Sequence, residues 1–173
     1  MKRSLSVVLA VIAVLVFATT AAAANPQFRR NGSPTLTDNG STLSINAAMT
    51  GLGNGNLAVD IAWNGTTIGN TCTSPGGNDA PGQNPATPVG GTDTFNFAPS
   101  KNGNVVIAGT TVAPTITPQQ AGCPNGNWSA SYTDVVFTSA HVTIDQASSG
   151  FHFECDAVFP SGGTTNGGTY ACV

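Results

Sequence analysis

The sequence predicts an all-β protein, an antiparallel β-sandwich of the Ig-like or Greek-key type. Three observations carry that expectation. Apolar residues alternate with polar ones along several short segments, the period of a strand with one buried and one wet face. Turn-forming Asn-Gly and Gly/Pro-rich stretches punctuate those segments. After residue 24 no stretch shows the 3.6-residue apolar period of an amphipathic helix. About eight strands with no helix to cover them favour two stacked sheets, with a closed barrel as the runner-up.

The first segment is read separately. Lys2 and Arg3 give a positive start, Leu5 to Ala18 is an uncharged apolar run, and Ala21 to Ala24 supplies small residues. That order is the signature of a cleaved secretory signal, so residues 1–24 are expected to be removed after Ala24. The apolar run is shorter than the roughly 20 residues of a spanning helix. No Cys follows it and no apolar tail ends the chain, so no membrane anchor is expected after cleavage.

Residues 25–40 are polar and turn-rich, and read as an extended N-terminal arm with a short strand at Thr35–Thr37. One domain is expected over residues 41–173. Leu43, Ile45 and Ala47 alternate with polar neighbours, as do Leu57, Val59, Ile61 and Trp63. Asn54-Gly55 is expected to turn between those two strands. Asn64-Gly65 would lead into a strand at Thr66–Cys72. Asn102-Gly103 would join Thr92–Ala98 to Asn104–Val112. Asn-Gly suits type I′ hairpins because both central residues need positive φ. Trp128–Phe137, Ala140–Gln146 and Phe151–Asp156 complete the set, with Cys155 in phase with Phe151 and Phe153 and so pointing inward. Between Thr73 and Gly91 the density of Pro and Gly excludes a helix or a central strand. That stretch reads as a long loop of the kind that carries binding residues. The tail Pro160–Val173 is Gly- and Thr-rich and is expected to be tied back by Cys172.

Composition excludes several functions. Charged residues make up only 8% of the chain. The basic residues beyond position 24 are Arg29, Arg30 and Lys101, against eight acids. So few cations cannot neutralise a phosphate backbone or an anionic bilayer, which argues against nucleic-acid and lipid partners. Cys72, Cys123, Cys155 and Cys172 form an even set without C-x-x-C pairs. In an exported chain that pattern reads as two disulfides rather than a metal centre, and three connectivities are open.

Two stretches carry a resemblance. Cys72-Thr-Ser-Pro-Gly-Gly-Asn-Asp-Ala-Pro-Gly-Gln-Asn-Pro85 and Cys123-Pro-Asn-Gly-Asn-Trp-Ser-Ala-Ser-Tyr-Thr-Asp-Val-Val-Phe-Thr138, with Gly51-Leu52-Gly53, resemble a group of small secreted bacterial proteins frequent in actinobacteria. The resemblance covers most of residues 41–146. It implies a Cys72–Cys123 bridge, which leaves Cys155 with Cys172. It implies no activity and no catalytic residues.

Candidate chemistry is sparse. The chain has one glutamate, Glu154, and no G-x-S-x-G elbow, so neither a glycosidase pair nor a serine nucleophile is signalled. His152, Glu154 and Asp156 share one strand face, with His141 nearby in the pattern; alternation alone accounts for them, and no metal or other cofactor is expected. Gly77-Asn78-Asp79 lacks the spacing of known calcium loops, which leaves Asn78 and Asp79 as weak ligand candidates. Trp128 and Tyr132 are candidates for stacking on a sugar, whereas Trp63 ends an apolar series and belongs in the core. Thr-x-Thr at 35–37, 92–94 and 115–117 is too irregular for a repeating flat array. The expected function is a secreted, non-enzymatic binding or surface-associated module with an extracellular glycan, cell wall or protein as partner. A self-associating envelope protein and a small secreted hydrolase are the alternatives.

Overall fold

A computed structural model describes residues 25–173; the expected signal segment, 1–24, lies outside the described residues. The all-β expectation holds, with antiparallel pairing throughout. One sheet is built on β3 (Leu43–Thr50), which pairs with β8 (Val105–Thr110), β2 (Thr35–Asp38) and the short β1 (Gln27–Phe28). Strand β12 (Thr169–Ala171) adds to β2. The second sheet runs β11 (Phe151–Asp156), β10 (Asp134–Gln146), β4 (Leu57–Ile68), β7 (Ala86–Phe97). A third, small sheet has β5 (Thr71–Thr73) between β6 (Asp79–Pro81) and β9 (Ser129–Ser131). Among the described residues the one helix is the short α1 (Pro118–Ala121). No helix among the described residues is long and apolar enough to cross a membrane.

The alternating residues do what their period requires. Leu43, Ile45, Ala47 and Met49 of one sheet meet Leu57, Val59, Ile61, Val142 and Ile144 of the other, all buried. Burying a side chain of this kind is worth about 1.5–3 kcal/mol, so this interface dominates the stability of the fold. A smaller cluster of Cys72, Ile116 and Ala121 lies under the third sheet, with Trp128, Ala130 and Tyr132 packed against it. The disulfides are Cys72–Cys123 and Cys155–Cys172. The second fastens the C-terminal segment, which pairs with β2 and also exchanges two hydrogen bonds between Asp156 and Val173, each 3.0 Å.

Several local expectations need correction. None of the three Asn-Gly pairs expected to turn makes a two-residue hairpin, whereas Asn39-Gly40 lies in the connection between the paired strands β2 and β3. Asn54-Gly55 and Asn102-Gly103 lie in connections that cross from one sheet to the other, because β3 and β4, and β7 and β8, belong to different sheets. Asn64-Gly65 lies inside β4, which continues to Ile68. There β10 bulges between Phe137 and Ser139, and a Cβ on Gly65 would stand 2.8 Å from the Val136 carbonyl oxygen. The glycine is required for close approach, not for a turn. Segment 128–137 splits into β9 and the start of β10, and β10 then runs unbroken through Ala140–Gln146. The short strand expected at Thr35–Thr37 is β2, which lies between β3 and β12 with Leu36 fully buried. The Thr73–Gly91 stretch is not one long loop. It holds β6 and the first half of β7, which as an edge strand tolerates its proline.

Candidate functional site

The best-formed cleft, about 510 Å³, lies between the edge strand β7 and the extended segment that follows β8. Its first wall begins with Pro88. The β4–β7 ladder continues across the Thr66–Pro88 pair. Proline has no N–H to give, so this pair must be one that turns its backbone groups away from the ladder. The alternation then sets the rest: Gly90, Thr92, Thr94 and Asn96 also direct their N–H and C=O groups to the free edge. Val89, Gly91 and Asp93 bond to β4 and place their side-chain positions on the inner face.

Gly91 is where the core meets this wall. It pairs with Trp63, and a Cβ at Gly91 would lie 3.2 Å from the indole Cζ2. Lacking that Cβ, the strand backbone lies against the indole. Trp63 is 4% exposed and packs edge-on to Phe137, with centroids 5.4 Å apart. Its Nε1–H donates to Asp93 Oδ2 at 3.0 Å, which satisfies the one polar atom of the buried ring. Asp93 Oδ1 accepts the Val112 N–H at 3.1 Å. One carboxylate thus holds the core tryptophan on one side and the opposite wall on the other.

The second wall is Val112–Thr115. Three contacts keep it in place. Tyr132 donates its hydroxyl to the Pro114 carbonyl at 2.7 Å, and burial pushes the Tyr132 phenol up from its ordinary pKa. Ile116 anchors in the small cluster beside Cys72. Helix α1 follows with a capping box, in which Thr117 accepts the Gln120 N–H and the Gln120 side chain accepts the Thr117 N–H. The Gln120 carbonyl in turn accepts from Asn84 Nδ2 and Thr87 Oγ1, each 3.0 Å, and so joins the helix to the start of β7. Val112 is 72% exposed at the mouth of the cleft.

The residues singled out from the sequence flank the small third sheet, where Thr73 pairs with Asp79 on one side and with Ser129, the neighbour of Trp128, on the other. Tyr132 braces the cleft wall. Trp128 is half-buried against the Cys72 cluster and is not among the residues lining the cleft. Asn78 and Asp79 are exposed at the β5–β6 turn, where the Asn78 N–H donates to Ser74 Oγ and Thr73 Oγ1 donates to Asp79 Oδ1 at 2.7 Å. Asp79 also borders a shallower depression of about 400 Å³ with Asn70 and Thr133. The cleft residues Gly91, Asp93 and Val112 escaped sequence reasoning. A Gly-Gly pair continuing into alternating Thr and Phe was the available sign that the Pro-rich stretch becomes a strand.

The outer face of the second sheet gathers both histidines. His152 contacts Asp145 through Nδ1 at 2.6 Å and Glu154 through Nε2 at 2.8 Å, and His141 Nδ1 contacts Asp156 at 2.9 Å. The hydrogen bonds to Asp145 and then Glu154 hold His152 above its ordinary pKa. Its two carboxylates sit at opposite ring nitrogens, a geometry that stabilises imidazolium and does not converge on an ion. Among the described residues no group of three or more His, Cys, Asp or Glu is placed to hold a metal.

No family model, curated protein or solved structure matches the chain.

Proposed function

We propose that the protein is an exported, non-enzymatic binding module whose site is the cleft between β7 and Val112–Thr115. We place it with the secreted bacterial proteins that its two cysteine-containing stretches resemble. The observation that carries the reading is a cleft with two independently braced walls. Asp93 and Gln120 join them, and the Cys72–Cys123 bridge closes the chain behind the second. Sites of this kind are pre-formed and bind without a large ordering cost. The carboxylate that lines the cleft, Asp93, already accepts two hydrogen bonds, which fits a site that recognises a ligand. Export is supported by the signal-like residues 1–24 together with two disulfides, which persist in oxidising compartments.

The test is retention of the oxidised protein on insoluble polysaccharides, bacterial cell wall and immobilised peptides. A Val112→Arg variant is run alongside, since Val112 is exposed and its replacement fills the mouth of the cleft without touching the core. Retention on one matrix that Val112→Arg abolishes supports the reading. Retention that the variant leaves intact moves the site elsewhere, and no retention on any matrix rejects it.

A further inference from the structure

We propose that the cleft takes an extended peptide strand, which adds to the free edge of β7 between Gly90 and Asn96. The inference rests on the cleft being the binding site and names what enters it. The first ground is hydrogen-bond complementarity. The backbone groups of Gly90, Thr92, Thr94 and Asn96 face the free edge, and among the described residues no backbone hydrogen bond to them is present outside the ladder with β4. They repeat at about 7 Å, two residues of strand. A row of alternating donors and acceptors at that repeat is matched by another extended backbone.

The second ground is how differently the two edges of this sheet are treated. Unprotected strand edges pair with other chains, and proteins ordinarily guard them with charge or cover. Strand β11, at the opposite edge, carries His152, Glu154 and Asp156, and its end is covered by pairing with Val173. The β7 edge from Gly90 to Phe97 has no lysine, arginine or glutamate. Its one acid, Asp93, is turned inward with both carboxylate oxygens taken, by Trp63 and Val112. The strand's one proline, Pro88, stands before this stretch, and among the described residues the edge from Gly90 onward is unpaired where the cleft opens.

The third ground selects the occupant. The cleft has a wall on each side, so a guest strand lies between β7 and Val112–Thr115. A second copy would bring its whole sheet and its own Val112–Thr115 wall to the same edge. A single peptide brings neither. The inner side chains of such a guest fall beside Val89 and Gly91, facing Val112 and Pro114. A charge there would lose water without gaining a partner. The partner is therefore an uncharged extended peptide with small apolar residues at alternate positions.

The probe is an end-blocked hexapeptide, Thr-Val-Thr-Val-Thr-Val, titrated calorimetrically into the oxidised protein alone and in competition with the same peptide with every backbone amide N-methylated. Two variants are compared. Thr92→Pro removes a free-edge donor while leaving the β4 ladder intact, and Thr92→Ala keeps the donor. Binding by the wild type and by Thr92→Ala is expected to agree within about twofold, and Thr92→Pro is expected to weaken it about tenfold or more, as losing a hydrogen bond and its alignment would. The N-methylated peptide is expected not to compete. Equal binding by Thr92→Pro, competition by the N-methylated peptide, or no binding of the hexapeptide at millimolar concentration overturns the proposal. If Thr92→Pro does not fold, the N-methylated arm decides. A polysaccharide retained through Val112 but indifferent to Thr92→Pro overturns strand addition while leaving the cleft as the site.

Discussion

Removing the Cys72–Cys123 bridge by Cys72→Ala/Cys123→Ala should cost the protein more than removing Cys155–Cys172. A cross-link lowers the entropy of the unfolded chain by an amount that grows with the logarithm of the loop it closes. The first bridge spans 51 residues and the second 17. At 25 °C those spans correspond to about 4 and about 3 kcal/mol. Cys72 is 1% exposed in a cluster whose other buried members are Ile116 and Ala121. Losing its sulfur removes apolar contact worth about 1 kcal/mol, but Cys155 and Cys172 are buried in the main core as well, so the order of the two variants rests on loop length. Set against a typical total of about 5–15 kcal/mol, the loss is large. Urea unfolding followed by tryptophan fluorescence measures both variants. The m-value of the first should also rise, because its unfolded chain expands further. A loss under about 1 kcal/mol, or a reversed order of the two variants, would refute loop closure as the source of the stabilisation. Hydrogen exchange offers a local check. The Ala121 and Cys123 amides, bonded to Thr117 and Pro118, should lose protection before those of β10.

Three further outcomes follow from the same contacts. Gly65→Ala should lower stability by about 1–3 kcal/mol, because its Cβ meets the Val136 carbonyl and Val135 Cγ1 across the bulge; a neutral result in thermal melting contradicts the close approach. Asp38 is buried, and desolvation, with the nearby Asp134 charge, holds its pKa up despite the Thr164 hydroxyl and the Gly40 N–H on Oδ1, which favour the charged form. The folded state therefore keeps that proton longer than the unfolded chain, and stability from this group falls as pH rises from about 4 through the raised value. Asp38→Asn should melt at or above the wild-type temperature at pH 7 and lose any advantage near pH 3; a marked drop at pH 7 would show that the charge is needed. His152 behaves in the same direction for a different reason: its carboxylate partners favour the charged ring, so its contribution is full below about pH 6.5 and disappears as pH rises through the raised value. NMR titration should find His152 above the usual histidine range, returning toward it in Asp145→Asn/Glu154→Gln.

The elements that were legible from the sequence are those decided by neighbours in the chain. Leu43–Ala47 and Leu57–Trp63 show their inner faces in their spelling, because successive strand residues point to opposite sides whatever they pair with. The Asn-Gly pairs misled for a related reason. Asn-Gly permits positive φ, but whether the chain uses it depends on where the next strand must go. At 54–55 and 102–103 the chain crosses between sheets, and at 64–65 it runs straight on against a bulge. Trp128 and Tyr132, read as candidates for stacking on a sugar, pack against the Cys72 cluster, and Tyr132 also donates to the Pro114 carbonyl. The cleft instead uses Trp63 with Asp93, thirty residues apart in the chain, and Val112 nineteen beyond Asp93.

By itself the sequence determined the all-β class, the buried faces of the strands and the absence of basic residues needed for nucleic acid. Each of these depends on local period or on composition, which need no partner to be read. Only the tertiary structure decided which strand became an edge and which glycine had to admit a neighbouring side chain. It also decided that one carboxylate would hold both walls of a cleft. Those features depend on contacts between segments far apart in the chain, and such contacts exist only after sheet order has brought the segments together.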